Sequence, residues 1–194
     1  MKVIAINGSA RENGNTRILI ERVFKRLEEE GIETELISLS KNTVLSCKAC
    51  FTCGGKAKCT FGDQDVFNSI FEKMKAADGI ILASPSYSAN ISSNMQALLE
   101  RASVICDMNP DLLTHKVGTS IATERRAGAL NAIDAMNHFF LNHEMYIAGA
   151  TYWNIGTGKL PGEVEKDEEA LNIMDNLGKN MACLLKKLKG DNRE

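Results

Sequence analysis

Four cysteines crowd into one short stretch of this chain: Cys47, Cys50, Cys53 and Cys59. Thiolates are soft metal ligands, and three of them at intervals of three can turn toward one centre. The fourth returns after a turn that contains Gly54 and Gly55. This compact Cys-x2-Cys-x2-Cys-x5-Cys spacing suits a [4Fe–4S] cluster with four cysteine ligands. Lys48, Lys56 and Lys58 lie among the thiols. Cations beside a negatively charged cluster would stabilise it and raise its potential. Zinc is the rival metal, although four-cysteine zinc sites more often pair two knuckles across a longer gap. A cysteine-rich loop without metal is the third reading. Cys106 and Cys183 stand alone and read as small core residues.

A second group could hold an anion. A short apolar run, Val3–Asn7, leads into Gly8-Ser9-Ala10-Arg11-Glu12-Asn13-Gly14-Asn15-Thr16, and helical spacing begins there. Backbone N–H groups at a helix start are unpaired and the helix dipole favours negative charge. Ser9, Asn15 and Thr16 add neutral donors, and Arg11 adds a charged fork. No Gly-Lys-Ser/Thr follows and no Gly-x-Gly-x-x-Gly is present, so neither the P-loop nor the dinucleotide fingerprint applies. The donors suit a terminal monophosphate. The plainer reading is a helix capped by Asn15 or Thr16.

Two further loops carry polar and aromatic groups. Pro85, Ser86, Tyr87, Ser88 and Asn90 follow the third apolar run, and together could hold a flat ring with polar edges. They also read as a polar turn leading to capping serines. Thr123, Arg125, Arg126 and Gly128 follow the fourth run.

The elements that would position these loops alternate along the chain. Strands are expected at Val3–Asn7, Thr34–Leu39, Gly79–Ser84, Lys116–Ala122 and Met145–Thr151. Helices are expected at Thr16–Glu30, Asp65–Ala77, Ser92–Cys106, Gly128–Asn142 and Lys166–Leu188. Apolar strands separated by helices argue for one α/β domain, over residues 1–190, with a parallel sheet covered on both faces. The long irregular stretch 41–62 holds the cysteines, and loops of that length are usually functional.

Composition narrows the partners. The chain has 194 residues, 44% of them hydrophobic, and a net charge of −2. That balance gives no reason to expect nucleic acid or an anionic membrane as partner. No targeting segment or membrane-length apolar run is seen, so a cytoplasmic protein is expected. His115, His138 and His143 are scattered without metal spacing, and no Gly-x-Ser-x-Gly elbow supports hydrolase chemistry.

Taken together, Gly8-Ser9-x-Arg11-x-x-Gly14-Asn15-Thr16, Ser84-Pro85-x-Tyr87 and the helical pair Glu100-Arg101 resemble the NAD(P)H-dependent FMN reductase branch of the flavodoxin-like superfamily. Glu100-Arg101 stands where that family carries Asp-Arg, and Gln96 stands where a lysine is common. Pro161-Gly162-Glu163-Val164, Asp167-Glu168 and Leu177-Gly178 extend the likeness toward Leu188. With its cysteine run the chain is similar to the iron–sulfur flavoprotein subgroup. The resemblance implies a doubly wound, three-layer, five-stranded parallel sheet in the order 2-1-3-4-5, with FMN at the carboxyl ends of the strands. It implies that Ser9, Arg11, Asn15 and Thr16 hold the phosphate. The ring would lie against Pro85, Ser86, Tyr87, Ser88, Asn90, Thr123, Arg125 and Gly128. The family often shows an arginine and two glycines in the last loop, and here one glycine remains. Tyr152 and Trp153 would cover the flavin or a subunit interface, or form core edge. No protein acid or base is required. Electrons would pass from a ferredoxin-like donor through a [4Fe–4S] cluster on the four cysteines to FMN, and on to a small acceptor. The alternative is a cluster-free NAD(P)H-dependent FMN or quinone reductase. A flavodoxin-like carrier and a metal-binding module are the non-enzymatic readings, and a homodimer or homotetramer is implied.

Overall fold

The computed structural model describes residues 1–191. Its strands are β1 (Lys2–Asn7), β2 (Glu33–Ser38), β3 (Gly79–Pro85), β4 (Val117–Glu124), β5 (Tyr146–Ile147) and β6 (Ile155–Thr157). The helices are α1 (Asn15–Glu29), α2 (Phe67–Ala76), α3 (Ser93–Met108), α4 (Ala129–Asn142) and α5 (Glu168–Asp191). All strand pairs are parallel and run in the order β2-β1-β3-β4-β5, with β6 also on β4. The expected doubly wound order is therefore present.

Side chains of the central strands alternate between the two layers, as a period of two requires. Ile4, Ile6, Ile80 and Leu82 pack with Phe67, Phe71, Leu98 and Phe140 from α2, α3 and α4. Val3, Ala5, Ile81 and Ala83 pack with Leu19, Val23, Leu177 and Met181 from α1 and α5. Both faces are dry, which explains the nearly unbroken apolar runs in β1 and β3. The edge strand β2 instead carries Glu33 and Glu35, paired with Lys2 at 3.1 and 2.8 Å. Charges on an edge discourage pairing with a further strand.

The fifth strand departs from expectation. A single strand over Met145–Thr151 is not formed. β5 pairs with Val117–Gly118, the chain then leaves the sheet, and β6 returns to pair with Ala122–Glu124. Side chains bridge the gap. Thr119 Oγ1 donates to Ala148 O at 2.9 Å, and Asn154 Nδ2 donates to Ser120 O at 3.0 Å. The excursion leaves Tyr152 65% and Trp153 54% exposed, so this pair is not core edge. Cys106 is buried as expected, but Cys183 is exposed on the outer side of α5.

α1 and α5 lie side by side. Asp175 accepts from Arg22 at 2.6 Å and from Arg26 at 2.8 Å. Gly178 lets the two backbones approach: a Cβ there would stand 2.9 Å from Val23 O and 2.6 Å from Arg26 Cβ. Gly178→Ala should therefore destabilise the chain by about 1–3 kcal/mol through overpacking, although alanine is the better helix former. Gly190→Ala, in the same helix with nothing nearby, should be neutral or stabilising. Urea unfolding of both variants checks the contrast.

Candidate functional site

Parallel pairing brings the ends of β1, β3 and β4 to one edge. Asn7 stands opposite Ala83, and Pro85 opposite Thr123. The loops that leave these ends are the three picked out in the sequence, and they touch. Thr16 Oγ1 and Thr123 Oγ1 share a buried hydrogen bond of 2.9 Å. The Ser86 N–H donates to Thr123 O at 2.7 Å. Gly128 has φ +98, and a Cβ there would meet Ser86 Oγ at 3.0 Å and Ala89 Cβ at 3.1 Å. Only glycine serves both that backbone angle and that approach.

The first loop is tied down from below and open above. Asn7, fully buried, accepts from the Ser9 N–H at 3.0 Å, and its Nδ2 has no partner among the described residues. Buried Ser9 accepts from the Arg11 N–H at 3.1 Å. Exposed Arg11 reaches Lys159 O at 2.9 Å. Asn15 is buried and its amide is engaged, donating to Leu160 O at 3.0 Å and accepting from the Val164 N–H. Neither Asn15 nor Thr16 caps α1; Gly14 holds that position in extended conformation, without a side-chain cap. The N–H groups of Ala10, Glu12, Asn13, Asn15 and Thr16 have no acceptor among the described residues. Free N–H groups at a helix start, with an orphaned buried amide beside them, fit a phosphate.

The second loop is a tight reversal. Tyr87 and Asn90 exchange backbone hydrogen bonds of 2.8 and 3.0 Å. Ser88 and Ala89 between them take φ +50 and +57. Both residues lie in the left-handed region that two-residue hairpin turns demand and that side chains resist. Pro85 and Ser86 are half-buried, while Tyr87, Ser88 and Asn90 are exposed. Asn90 Oδ1 is occupied by the Ile91 N–H. Ser92 caps α3 through the Met95 N–H. In the third loop, Glu124 caps α4 by accepting from the Ala129 N–H at 2.8 Å. Arg125 is exposed and makes no hydrogen bond or ion pair among the described residues.

The cysteine loop lies against the other end of α3. All four cysteines of the run line one cavity with Leu45, Phe61, Arg101, Val104 and Ile105, and no carboxylate or imidazole lines it. The donor set is thus all sulfur, which fits an iron–sulfur or zinc centre. The cavity is small, ≈ 30 Å³, and among the described residues no three His, Cys, Asp or Glu side chains are grouped as a ready metal site. Seating a cluster therefore requires the loop to spread. Ala49, Phe51 and Ala57 all have φ near +50. Alternation through left-handed residues builds concave nests of backbone N–H groups of the kind found around anions and clusters, and strain of this kind clusters at functional sites. The hydroxyl of Thr52 pulls the Cys50 thiol below its usual range, and burial pushes that of Cys53 up.

Apart from Glu100 and Arg101, the residues that hold this loop are not marked by any motif. Asn94 donates to Asn42 O at 2.9 Å, Asn109 to Cys53 O at 3.1 Å, and Asn68 to Cys59 O at 3.0 Å. Glu100 accepts from the Cys47 N–H at 3.0 Å. Arg101 is only 3% exposed, pairs with buried Asp65, and donates to Leu45 O and Cys59 Sγ. An arginine amid Leu98, Ala102 and Ile105 on the apolar face of a helix was the available signal.

A family model described as NADPH-dependent FMN reductase matches residues 1–159, which include all three edge loops and the cysteines. The chain belongs to this family. It is a flavin-dependent oxidoreductase by that membership. An iron–sulfur flavoprotein of Methanocaldococcus jannaschii is 39% identical, over 97% of this chain and 100% of its own length. An iron–sulfur flavoprotein of Methanosarcina thermophila is 34% identical, over 77% of this chain and 78% of its own length. Among solved structures, RosB with bound 8-demethyl-8-formylriboflavin-5′-phosphate superimposes with a TM-score of 0.77 at 21% identity, covering 98% of this chain and 81% of that one. That likeness supports the fold.

The turn at Ser88–Ala89 yields a direct test. Ser88→Asn combined with Ala89→Gly should stabilise the protein by about 1 kcal/mol, because these residues accept the left-handed region. Thermal or urea unfolding measures it, and an unchanged midpoint would show that the turn carries no strain.

Proposed function

We propose that this oxidoreductase binds FMN at the three edge loops and a [4Fe–4S] cluster on Cys47, Cys50, Cys53 and Cys59. The four cysteines would hold the cluster and the edge loops the FMN, which together would supply an electron path between a ferredoxin-like donor and a small acceptor. The observation that supports this reading is that all four thiols of the run line one cavity, with no carboxylate or imidazole beside them. When bound, the two groups supply one-electron relay at iron and one- or two-electron chemistry at the flavin.

The chain's own residues bind, orient and shield. The free N–H groups of residues 10–16 and the side chains of Ser9, Arg11 and Thr16 meet the phosphate, while Asn15 fixes the loop to segment 160–164. Pro85–Asn90, Thr123, Arg125 and Gly128 border the ring. Helix α3 connects the two sites. Its cap, Ser92, closes the second loop, and Arg101 stands nine residues on, roughly 13 Å along the axis. Lys48, Lys56 and Lys58 are exposed on the cysteine loop, without a carboxylate partner among the described residues. Cations on the same loop as exposed Phe51 suit an acidic redox protein.

Anaerobic purification with absorption, iron and sulfide assays tests the proposal. Flavin bands over a broad iron–sulfur shoulder, with about four irons per chain, are expected for a [4Fe–4S] site. Flavin without iron after anaerobic reconstitution would move the protein to the cluster-free NAD(P)H-dependent reductases. Cys50→Ser should remove the iron absorbance and leave the flavin bands. For the phosphate site, Arg11→Ala with Thr16→Ala should weaken FMN binding to the apoprotein at least tenfold, or about 1.4 kcal/mol. Fluorescence titration reads this, and unchanged affinity would overturn the phosphate assignment.

A further inference from the structure

We infer that Arg101, a residue of α3 outside the cysteine run, positions Cys59 and raises the reduction potential of the centre that the four cysteines hold. This rests on the cluster reading above. The guanidinium uses both terminal nitrogens. Nη2 donates to Cys59 Sγ at 3.1 Å, Nη1 donates to Leu45 O at 3.0 Å and to Asp65, and Cζ lies 4.2 Å from the centre of the Phe67 ring. The side chains of Arg101 and Asp65 are each 4% exposed. A cation so placed is locked in direction, and it points one N–H group at the sulfur.

The chemistry follows from charge. A ligand thiolate carries negative charge, and one added electron increases it. A hydrogen bond from a buried cation to that sulfur favours the more negative, reduced form. Reduction here adds one electron to the centre from an external reductant, and breaks no bond. Asp65 acts in the opposite sense, because its carboxylate partly cancels the guanidinium. Neighbouring Glu100 bonds Cys47 through the backbone N–H rather than the sulfur. It orients the first cysteine, and its carboxylate, like that of Asp65, opposes added negative charge at the centre. Two successive residues of one helix thus hold the first and last cysteines of the run.

Reductive titration of the anaerobically purified holoprotein with dithionite, followed by low-temperature EPR of the reduced centre, tests the assignment. The variants are Arg101→Lys, Arg101→Met and Asp65→Asn, with iron content measured for each. Arg101→Met should lower the ratio of reduced to oxidised centre at fixed ambient potential at least tenfold, which is a shift of ~59 mV for one electron. Arg101→Lys keeps the charge, loses the fork, and should fall between Arg101→Met and the parent. Asp65→Asn should raise the ratio. Opposite signs for the two partners are the signature that a merely structural pair would not give. Iron-loaded variants with unmoved potentials, or with shifts of one sign, would overturn the inference. Should the Arg101 variants fail to hold iron, Asp65→Asn decides alone, an upward shift supporting it and any other result overturning it. Parent protein that takes up no iron on reconstitution would instead overturn the cluster reading, and this assignment with it.

Discussion

Parallel pairing of β1, β3 and β4 is the constraint from which the rest follows. A parallel strand cannot turn back on itself, so each must hand the chain to a helix that returns it to the far edge. Every strand-to-helix loop therefore leaves from one edge of the sheet. Full burial of both faces pins the register, since a slip of one residue would exchange Ile4 and Ile6 for Val3 and Ala5 in layers of different shape. With the register fixed, Thr16 and Thr123 meet although they are 107 residues apart. The edge is then a rigid ledge on which three loops touch one another.

The same ledge explains why the polar groups divide into two kinds. Some are spent on the protein itself: Asn15 on segment 160–164, Ser92 on the start of α3, Glu124 on the start of α4. Others have nothing to bond among the described residues, such as the N–H groups of Ala10, Glu12, Asn13, Asn15 and Thr16. The first kind hold the second in place. Helix α3 is the element shared by both halves of the molecule, because its cap closes one loop and its middle turns clamp the cysteines.

The order of strands, the three edge loops and the cysteine run were legible in the sequence. Their signals are local: apolar runs, glycines before helices, thiols at short spacing. Asp65 was not, and Arg101 stood out only as half of the Glu100-Arg101 pair, without the burial or the partners that packing gives it. A buried ion pair is written into the chain as two ordinary charged residues 36 positions apart, and only packing discloses it. The split fifth strand was hidden for a similar reason. Met145–Thr151 has a strand's composition, yet Thr119 and Asn154 substitute side-chain bonds for the ladder and let the chain leave the sheet. Asn7 ended an apolar strand without comment in the pattern, although its buried amide sits under the first loop.

The cysteine loop owes its shape to the helices beside it as well as to bonds within itself. Asn68, Asn94 and Arg101 reach it from α2 and α3, and Asn109 from the residue that ends α3, several of them across more than 50 residues of chain. None of these anchors exists before the core has packed. The spacing of the thiols is therefore coupled to helix packing, and a change that loosens α2 or α3 should loosen the cysteines with it.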